Sequence, residues 1–164
     1  RLACRVSLAV SVFWRGALVV IALSACAEGV ATSFIEEAKR DESGLITEPG
    51  QVGVLRLVPG DCFFFDGDDI ESVAAVPCAD QHEAEVFSVF DLGDGDWPGA
   101  NAVEQVAINS CLARFRPATG IDFDPTQLGV TGLAPSESSW SDDRTVICVL
   151  TAQNSGLLSG RLSR

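Results

Sequence analysis

The sequence has few basic residues, and nearly all of them are arginine. Lysine and arginine total 11 against 23 aspartate and glutamate residues, which gives a net charge of −12 at pH 7, and Lys39 is the one lysine. All the acidic residues follow Cys26, whereas Arg1, Arg5 and Arg15 precede it. A surface of this charge repels phosphate backbones. The composition therefore argues against a nucleic-acid partner.

Histidine is nearly absent, and the common metal and catalytic motifs are missing. His82 is the one histidine, and neither Cys-x-x-Cys nor Gly-x-Ser-x-Gly occurs. The usual spacing of zinc ligands is therefore lacking, as is the serine nucleophile elbow of many hydrolases. The acidic stretch Asp66 to Glu71 does not fit an EF-hand loop, because Ile70 stands where a polar ligand is needed and no glycine follows it. We expect solvated acidic loops and no cofactor.

The N-terminal region has no apolar run long enough to cross a bilayer by itself. The uncharged run from Gly16 to Ala25 has ten residues, whereas ~20 helical residues span the hydrocarbon core. Arginines precede this run, which is the layout of an export signal. Its last residues, Leu23-Ser24-Ala25-Cys26, resemble a bacterial lipobox, which implies a diacylglycerol on the sulfur of Cys26. The alternative is an uncleaved anchor in which residues 6–14 insert together with residues 16–25.

The chain is predicted to divide into three parts. Residues 1–25 form a lipoprotein signal peptide. Residues 26–51, which are rich in acidic residues and contain Pro49-Gly50, are interpreted as a polar tether. Residues 52–164 form a single folded domain. Two acyl chains on Cys26 would hold this domain at the outer face of the cytoplasmic membrane.

The folded domain is predicted to be α+β, with a small antiparallel sheet of four or five strands covered by one main helix. Apolar residues recur at helical spacing between Ile108 and Phe115. Asn101 and Glu104 form a plausible N-cap pair, so the helix is predicted to run from Asn101 to Arg116.

The strands are predicted from short apolar runs that end at glycine, proline or aspartate. Residues 122–139 contain glycine and proline and show no clean period, so they are predicted to be irregular. The predicted strands are residues 52–58, 62–65, 73–76, 83–92 and 144–151.

Four cysteines lie in the predicted domain: Cys62, Cys78, Cys111 and Cys148. An even number in an exported chain indicates two disulfides, for which three connectivities exist. We favour a bond between Cys62 and Cys78, which joins adjacent segments. The second bond would then tie Cys111 on the helix to Cys148 on the last strand. A zinc site or a catalytic cysteine is less favoured, because an oxidising compartment promotes pairing of every thiol.

Several short motifs follow one another along the predicted domain. They are Gly60-Asp61-Cys62-Phe63, Val76-Pro77-Cys78, His82-Glu83-Ala84-Glu85-Val86, Cys111 with Phe115, and Trp140 with Asp143-Arg144, Val146 and Cys148. This set resembles the septum formation domain of actinobacterial envelope proteins over roughly residues 53–160. The resemblance implies an extracytoplasmic module, often tethered to the membrane and linked by name to cell division. It implies no established reaction.

The predicted binding surface comprises His82, Asp61, Trp97 and Trp140. Aromatic side chains near loops can stack on a sugar or on a partner protein. We predict a membrane-anchored binding or scaffolding module of the cell envelope, with no catalytic residue and with an envelope or division protein as its partner. The alternatives are an envelope hydrolase in which His82 acts with Asp61 or Asp80, and a calcium-dependent adhesion domain.

Overall fold

The structure is a computed structural model that describes residues 36–67 and 71–164. The predicted signal peptide, the lipidation residue Cys26 and residues 26–35 of the predicted tether lie outside the described residues. So do Asp68, Asp69 and Ile70 of the acidic loop.

The described residues form one helix and a six-stranded antiparallel sheet, with two shorter pairs of strands beside it. The helix α1 (Ala100–Thr119) lies between β7 and β8 in the chain. The strands are β1 (Lys39–Arg40), β2 (Ile46–Glu48), β3 (Gly50–Gly53), β4 (Cys62–Phe65), β5 (Ser72–Val76), β6 (Gln81–His82), β7 (Ala84–Asp91), β8 (Leu128–Leu133), β9 (Thr145–Ala152) and β10 (Leu158–Ser159).

The order of strands in the large sheet is β3-β5-β4-β7-β9-β8, and each neighbouring pair is antiparallel. The α+β class is confirmed, but the expected number of strands is wrong. The additional strand is β8, which lies in the segment predicted to be irregular. Gly129 and Gly132 interrupt its apolar pattern, so the alternation typical of a strand is lost.

Helix α1 covers one face of the sheet. Its buried residues Val103, Ala107, Cys111 and Phe115 are four positions apart, so they lie on one face of the helix. Leu112, which the periodicity placed on this face, is 39% exposed. The predicted N-cap is also wrong, because the N-cap residue is Gly99 and no side chain makes a capping hydrogen bond there.

The opposite face of the sheet is covered by chain that comes before residue 58. Ile46 and Leu57 are buried there against sheet residues that include Phe63 and Val149. Successive residues of a strand point to opposite faces, and the middle of β9 is buried on both. The burial of β9 on both faces is thus explained by two cores, one on each side of the sheet.

Residues 36–51 belong to the folded domain, whereas the sequence analysis assigned them to the tether. They contribute β1, β2 and the start of β3, and they form one compact unit with the rest of the described chain. Their many charged side chains are typical of a tether, because few residues of this segment point into the core. The predicted first strand also ends early, since Val54–Arg56 form a short 3-10 helix.

Candidate functional site

Both predicted disulfides are present, and each closes a different part of the domain. Cys62 on β4 is bonded to Cys78 just after β5, and Cys111 on α1 is bonded to Cys148 on β9. Because all four thiols are paired, none of them is a metal ligand or a nucleophile in this state.

Asp61 was predicted to lie on the binding surface, but its side chain is buried and paired. It is 1% exposed, and its two oxygens lie 2.6 Å and 2.7 Å from the guanidinium nitrogens of Arg40. The backbone N–H of Val58 donates to the same carboxylate at 2.9 Å. The hydrogen bond from Arg40 to the Asp61 carboxylate raises the pKa of Arg40. This pair ties β1 to the loop before β4, which is a structural role.

His82 is also buried, and no carboxylate among the described residues is hydrogen-bonded to it. It is 0% exposed, and its Nδ1 lies 2.9 Å from the backbone carbonyl oxygen of Asp80. The residue Asp80 itself is exposed, and the Asp61 carboxylate is occupied by Arg40. The predicted exposure of His82 and Asp61 is therefore wrong, because both lie beneath the segments that fold over β4 and β6.

His82 lies in a buried cluster that contacts the terminal segment, residues 158–164. Ligand atoms of Cys62, His82 and Glu85 lie within 4.8 Å of one another. The Glu85 carboxylate accepts the backbone N–H groups of Leu162 and Ser163 at 2.8 Å and 2.7 Å. Cys62 is bonded to Cys78, and Glu85 holds Leu162 and Ser163 in place, so both side chains serve the fold.

The two predicted tryptophans contact each other at the other end of the sheet. The rings of Trp97 and Trp140 are 5.1 Å apart and meet edge to face. The indole N–H of Trp140 donates to the carbonyl of Gly95 at 2.9 Å, and the guanidinium of Arg144 lies 4.8 Å from its ring centre. Trp140 is buried, whereas Trp97 is half-buried. Trp97 therefore presents a surface, and Trp140 supports it.

A cleft of about 500 Å³ lies beside Trp97. Three segments build it: the loop before α1, the first turns of α1, and the end of β8 with the chain after it. Its lining includes Trp97, Val103, Glu104, Gly132, Pro135 and Glu137. An aromatic wall with a few convergent polar groups is typical of binding sites.

Sequence reasoning found Trp97 but missed the remainder of this cleft. Glu104 was interpreted as a helix cap, and Gly132, Pro135 and Glu137 lay in the segment predicted to be irregular. No sequence signal connects Glu104 with the others, because residues 28 or more positions apart along the chain meet only after α1 folds onto β8.

Residues 59–162 match the sequence profile of a family described as Septum formation. The chain belongs to the Septum formation family. The expectation from the sequence motifs is thereby confirmed, and the match covers β4 to β10 together with α1. No solved structure matches this chain.

Two relatives are proteins of two Mycobacterium tuberculosis strains, each named "Uncharacterized membrane protein". Each is 30% identical over 107 residues, which cover 58% of this chain and 24% of the relative. The chain thus spans about a quarter of the length of the relatives it matches. Their names and the family are consistent with an envelope-associated role. Within the described residues, no helix is long and apolar enough to cross a membrane.

Proposed function

We propose that this chain is a membrane-anchored binding module of the cell envelope and that the cleft beside Trp97 is its binding site. The observation that carries this proposal is the cleft itself, a concave surface of about 500 Å³ with a half-buried indole and two carboxylates. Asp61, His82 and Glu85, by contrast, are buried and serve the fold.

The proposed anchor is a lipid on Cys26, which would place the domain at the outer face of the cytoplasmic membrane. The lipobox-like Leu23-Ser24-Ala25-Cys26 supports it. The two disulfides support an oxidising compartment outside the cytoplasm, and the relatives' names refer to membranes.

The proposed partner is another envelope component, and the family description suggests one that takes part in septum formation. The hydrolase alternative gains no support, because a general base must reach the proton that it abstracts. His82 is buried, and its Nδ1 is directed at a backbone carbonyl.

Site-specific photo-cross-linking in living cells tests the binding site. A photoreactive residue at Ser136, which lines the cleft, should give a cross-linked product of defined mass that disappears when Trp97→Ala is introduced. The same residue at Leu55, which is 69% exposed on the opposite edge of the sheet, is the matched control. Equal products at both positions, or products that survive Trp97→Ala, would refute the cleft as the binding site.

Metabolic labelling with palmitate tests the anchor. The intact chain should incorporate label, and Cys26→Ser should abolish the incorporation, whereas Cys4→Ser should leave it unchanged. Label that persists in the Cys26→Ser protein would contradict lipidation at this cysteine.

A further inference from the structure

The two edges of the six-stranded sheet differ in whether other described residues form hydrogen bonds with them. At the β3 edge, Gln51 pairs with residues 36–38: its N–H donates to the carbonyl of Glu36 at 2.8 Å, and its carbonyl accepts the N–H of Ala38 at 3.1 Å. At the β8 edge, no described strand pairs with the outer side. One edge is therefore covered, and the other is open among the described residues.

The register identifies which backbone groups of β8 point to the open edge. Gln153 N–H donates to the carbonyl of Gln127 at 2.9 Å, which makes these two residues a hydrogen-bonded pair. Because such pairs alternate along an antiparallel ladder, Gly129 and Thr131 bond to β9. Every second residue, namely Leu128, Val130 and Gly132, turns its N–H and C=O away from β9.

Leu128 is satisfied locally, but the next two outward residues are not. Leu128 N–H donates to the carbonyl of Asp124 at 3.0 Å, and its carbonyl accepts the Gln153 side chain at 3.1 Å. No described group bonds to the outward N–H and C=O of Val130 and Gly132. These groups have the spacing at which one more strand could form hydrogen bonds with β8.

The sequence of β8 gives this edge none of the usual protection. Natural edge strands are commonly guarded by lysine, proline, a bulge or an inward-pointing charge. The strand reads Leu-Gly-Val-Thr-Gly-Leu, with no charged residue and no proline, and its register with β9 is regular from Leu128 to Leu133. An open edge without these features is suited to pairing with an additional strand.

Helix α1 presents two different flanks to the sheet. Val106 lines a pocket beside Leu92, close to the end of β7. Farther along the same flank, the guanidinium of Arg114 lies 3.9 Å from the ring centre of Phe90 on β7. This flank therefore faces away from β8.

The other flank of α1 borders the open edge. Glu104 lines the Trp97 cleft together with Gly132 of β8, and Ile108 and Leu112 follow it at four-residue spacing, so they lie on the same stripe. Ile108 is half-buried and Leu112 is 39% exposed. A strand added to β8 would thus have an apolar shelf beside it and a carboxylate at one end.

We propose that the open edge of β8 accepts an extended segment of a partner protein as an additional strand, with apolar side chains on the Ile108 and Leu112 shelf and a lysine or arginine at the Trp97 cleft. The proposal rests on the proposed function and names the partner's chemistry at that same site. Glu104 and Glu137 both line the cleft, which favours a cationic side chain. A second copy of this chain fits less well, because each copy carries a net charge of −12.

Binding of a synthetic peptide tests the proposal. The probe is acetylated and amidated Lys-Thr-Val-Thr-Val-Thr-Lys, which is symmetric and places valine and lysine on one face in either strand direction. Calorimetry should detect binding to the disulfide-bonded domain. A probe with both lysines replaced by glutamate, and a probe N-methylated at its valines and threonines, should each bind at least about tenfold more weakly.

A proline substitution tests the edge from the side of the protein. Val130→Pro removes an outward N–H that β9 does not use, so the fold should persist, and the affinity for the probe should fall about tenfold. Val130→Ala is the matched control, because it retains the N–H and should bind as the unmodified domain does. Hydrogen exchange should slow at Val130 and Gly132 when the probe binds.

The outcomes separate this proposal from the proposed function. Equal binding of the N-methylated probe, together with unchanged exchange at Val130, overturns strand addition, whereas the cross-links at Ser136 still decide the cleft. Tighter binding of the glutamate probe overturns the charge assignment. A dimer in sedimentation that Val130→Pro dissociates shows that a second copy occupies the edge and overturns the partner.

Discussion

The two ends of the sheet use their residues in opposite ways. Around β4 and β6, the residues that carry chemistry are paired and buried: Asp61 binds Arg40, Glu85 binds the terminal segment, and Cys62 is in a disulfide. Around β8, few residues are chemically reactive, yet the surface is concave and the edge is open. Titratable groups that cluster in a sequence can thus mark a closed structural centre, while the proposed binding surface lies in a segment with few such groups.

Removal of the disulfides should give the largest loss in the free energy of unfolding and should show that both parts of the domain depend on a covalent cross-link. Loop entropy predicts a loss of about 4 kcal/mol for Cys111→Ala with Cys148→Ala, and about 3 kcal/mol for Cys62→Ala with Cys78→Ala. The order follows from the sequence separations of 37 and 16 residues. Urea denaturation at 25 °C measures both. A greater loss at the shorter loop would contradict an entropic origin.

Arg40→Ala tests whether the β4 end depends on its buried ion pair. The substitution leaves the Asp61 carboxylate buried without a partner, and we expect a loss of about 3 kcal/mol in the free energy of unfolding. Arg56→Ala is the control, because its ion pair with Glu37 is exposed and is worth at most about 1 kcal/mol. Similar losses for the two variants would show that residues 36–51 contribute little to the fold.

Gly132→Ala tests the packing of α1 on β8. An added Cβ would lie 3.0 Å from the Cβ of Ala107 and 3.4 Å from the sulfur of Cys111, so the helix would have to shift. We expect a loss of about 1–2 kcal/mol in denaturation. Gly53→Ala is the control, since its nearest neighbour is 3.9 Å away. A neutral Gly132→Ala variant would mean that the helix can move from the edge at no cost.

Asp124→Asn should have the smallest effect, and it tests the turn that leads into β8. The Thr126 hydroxyl, followed by the Thr126 N–H and the Gln127 side chain, lowers the pKa of Asp124 from its ordinary value of 3.8. A lowered pKa stabilises the fold above pH 3.8, and this contribution disappears as the pH falls through the folded-state pKa. The difference in Tm between the unmodified domain and Asp124→Asn should therefore narrow below pH 3.8.

A control for this titration is Asp122→Asn, which removes an exposed carboxylate paired with Arg116. It lies just before the turn and should produce a smaller difference in Tm. A difference for Asp124→Asn that is constant from pH 6 to pH 2 would show that the loss arises from hydrogen-bond geometry and not from the charge.

Much of the fold could be predicted because its signals are local. The helix repeats apolar residues at a fixed period, and β9 has a continuous apolar run. The disulfides were predictable because four cysteines allow only three pairings. Strand β8 could not be predicted, because its two glycines are typical of a loop, and the close approach of α1 that explains Gly132 exists only in the folded chain.

The α+β class, the family and both disulfides follow from the amino-acid sequence alone, since each depends on residue type and spacing along the chain. Which residues are accessible depends on the folded structure. Burial depends on what folds over a residue: residues 36–57 and the terminal segment cover Asp61 and His82, whereas the described chain leaves the edge of β8 open beside Trp97. The accessible surface is therefore set by packing between segments that are distant in sequence.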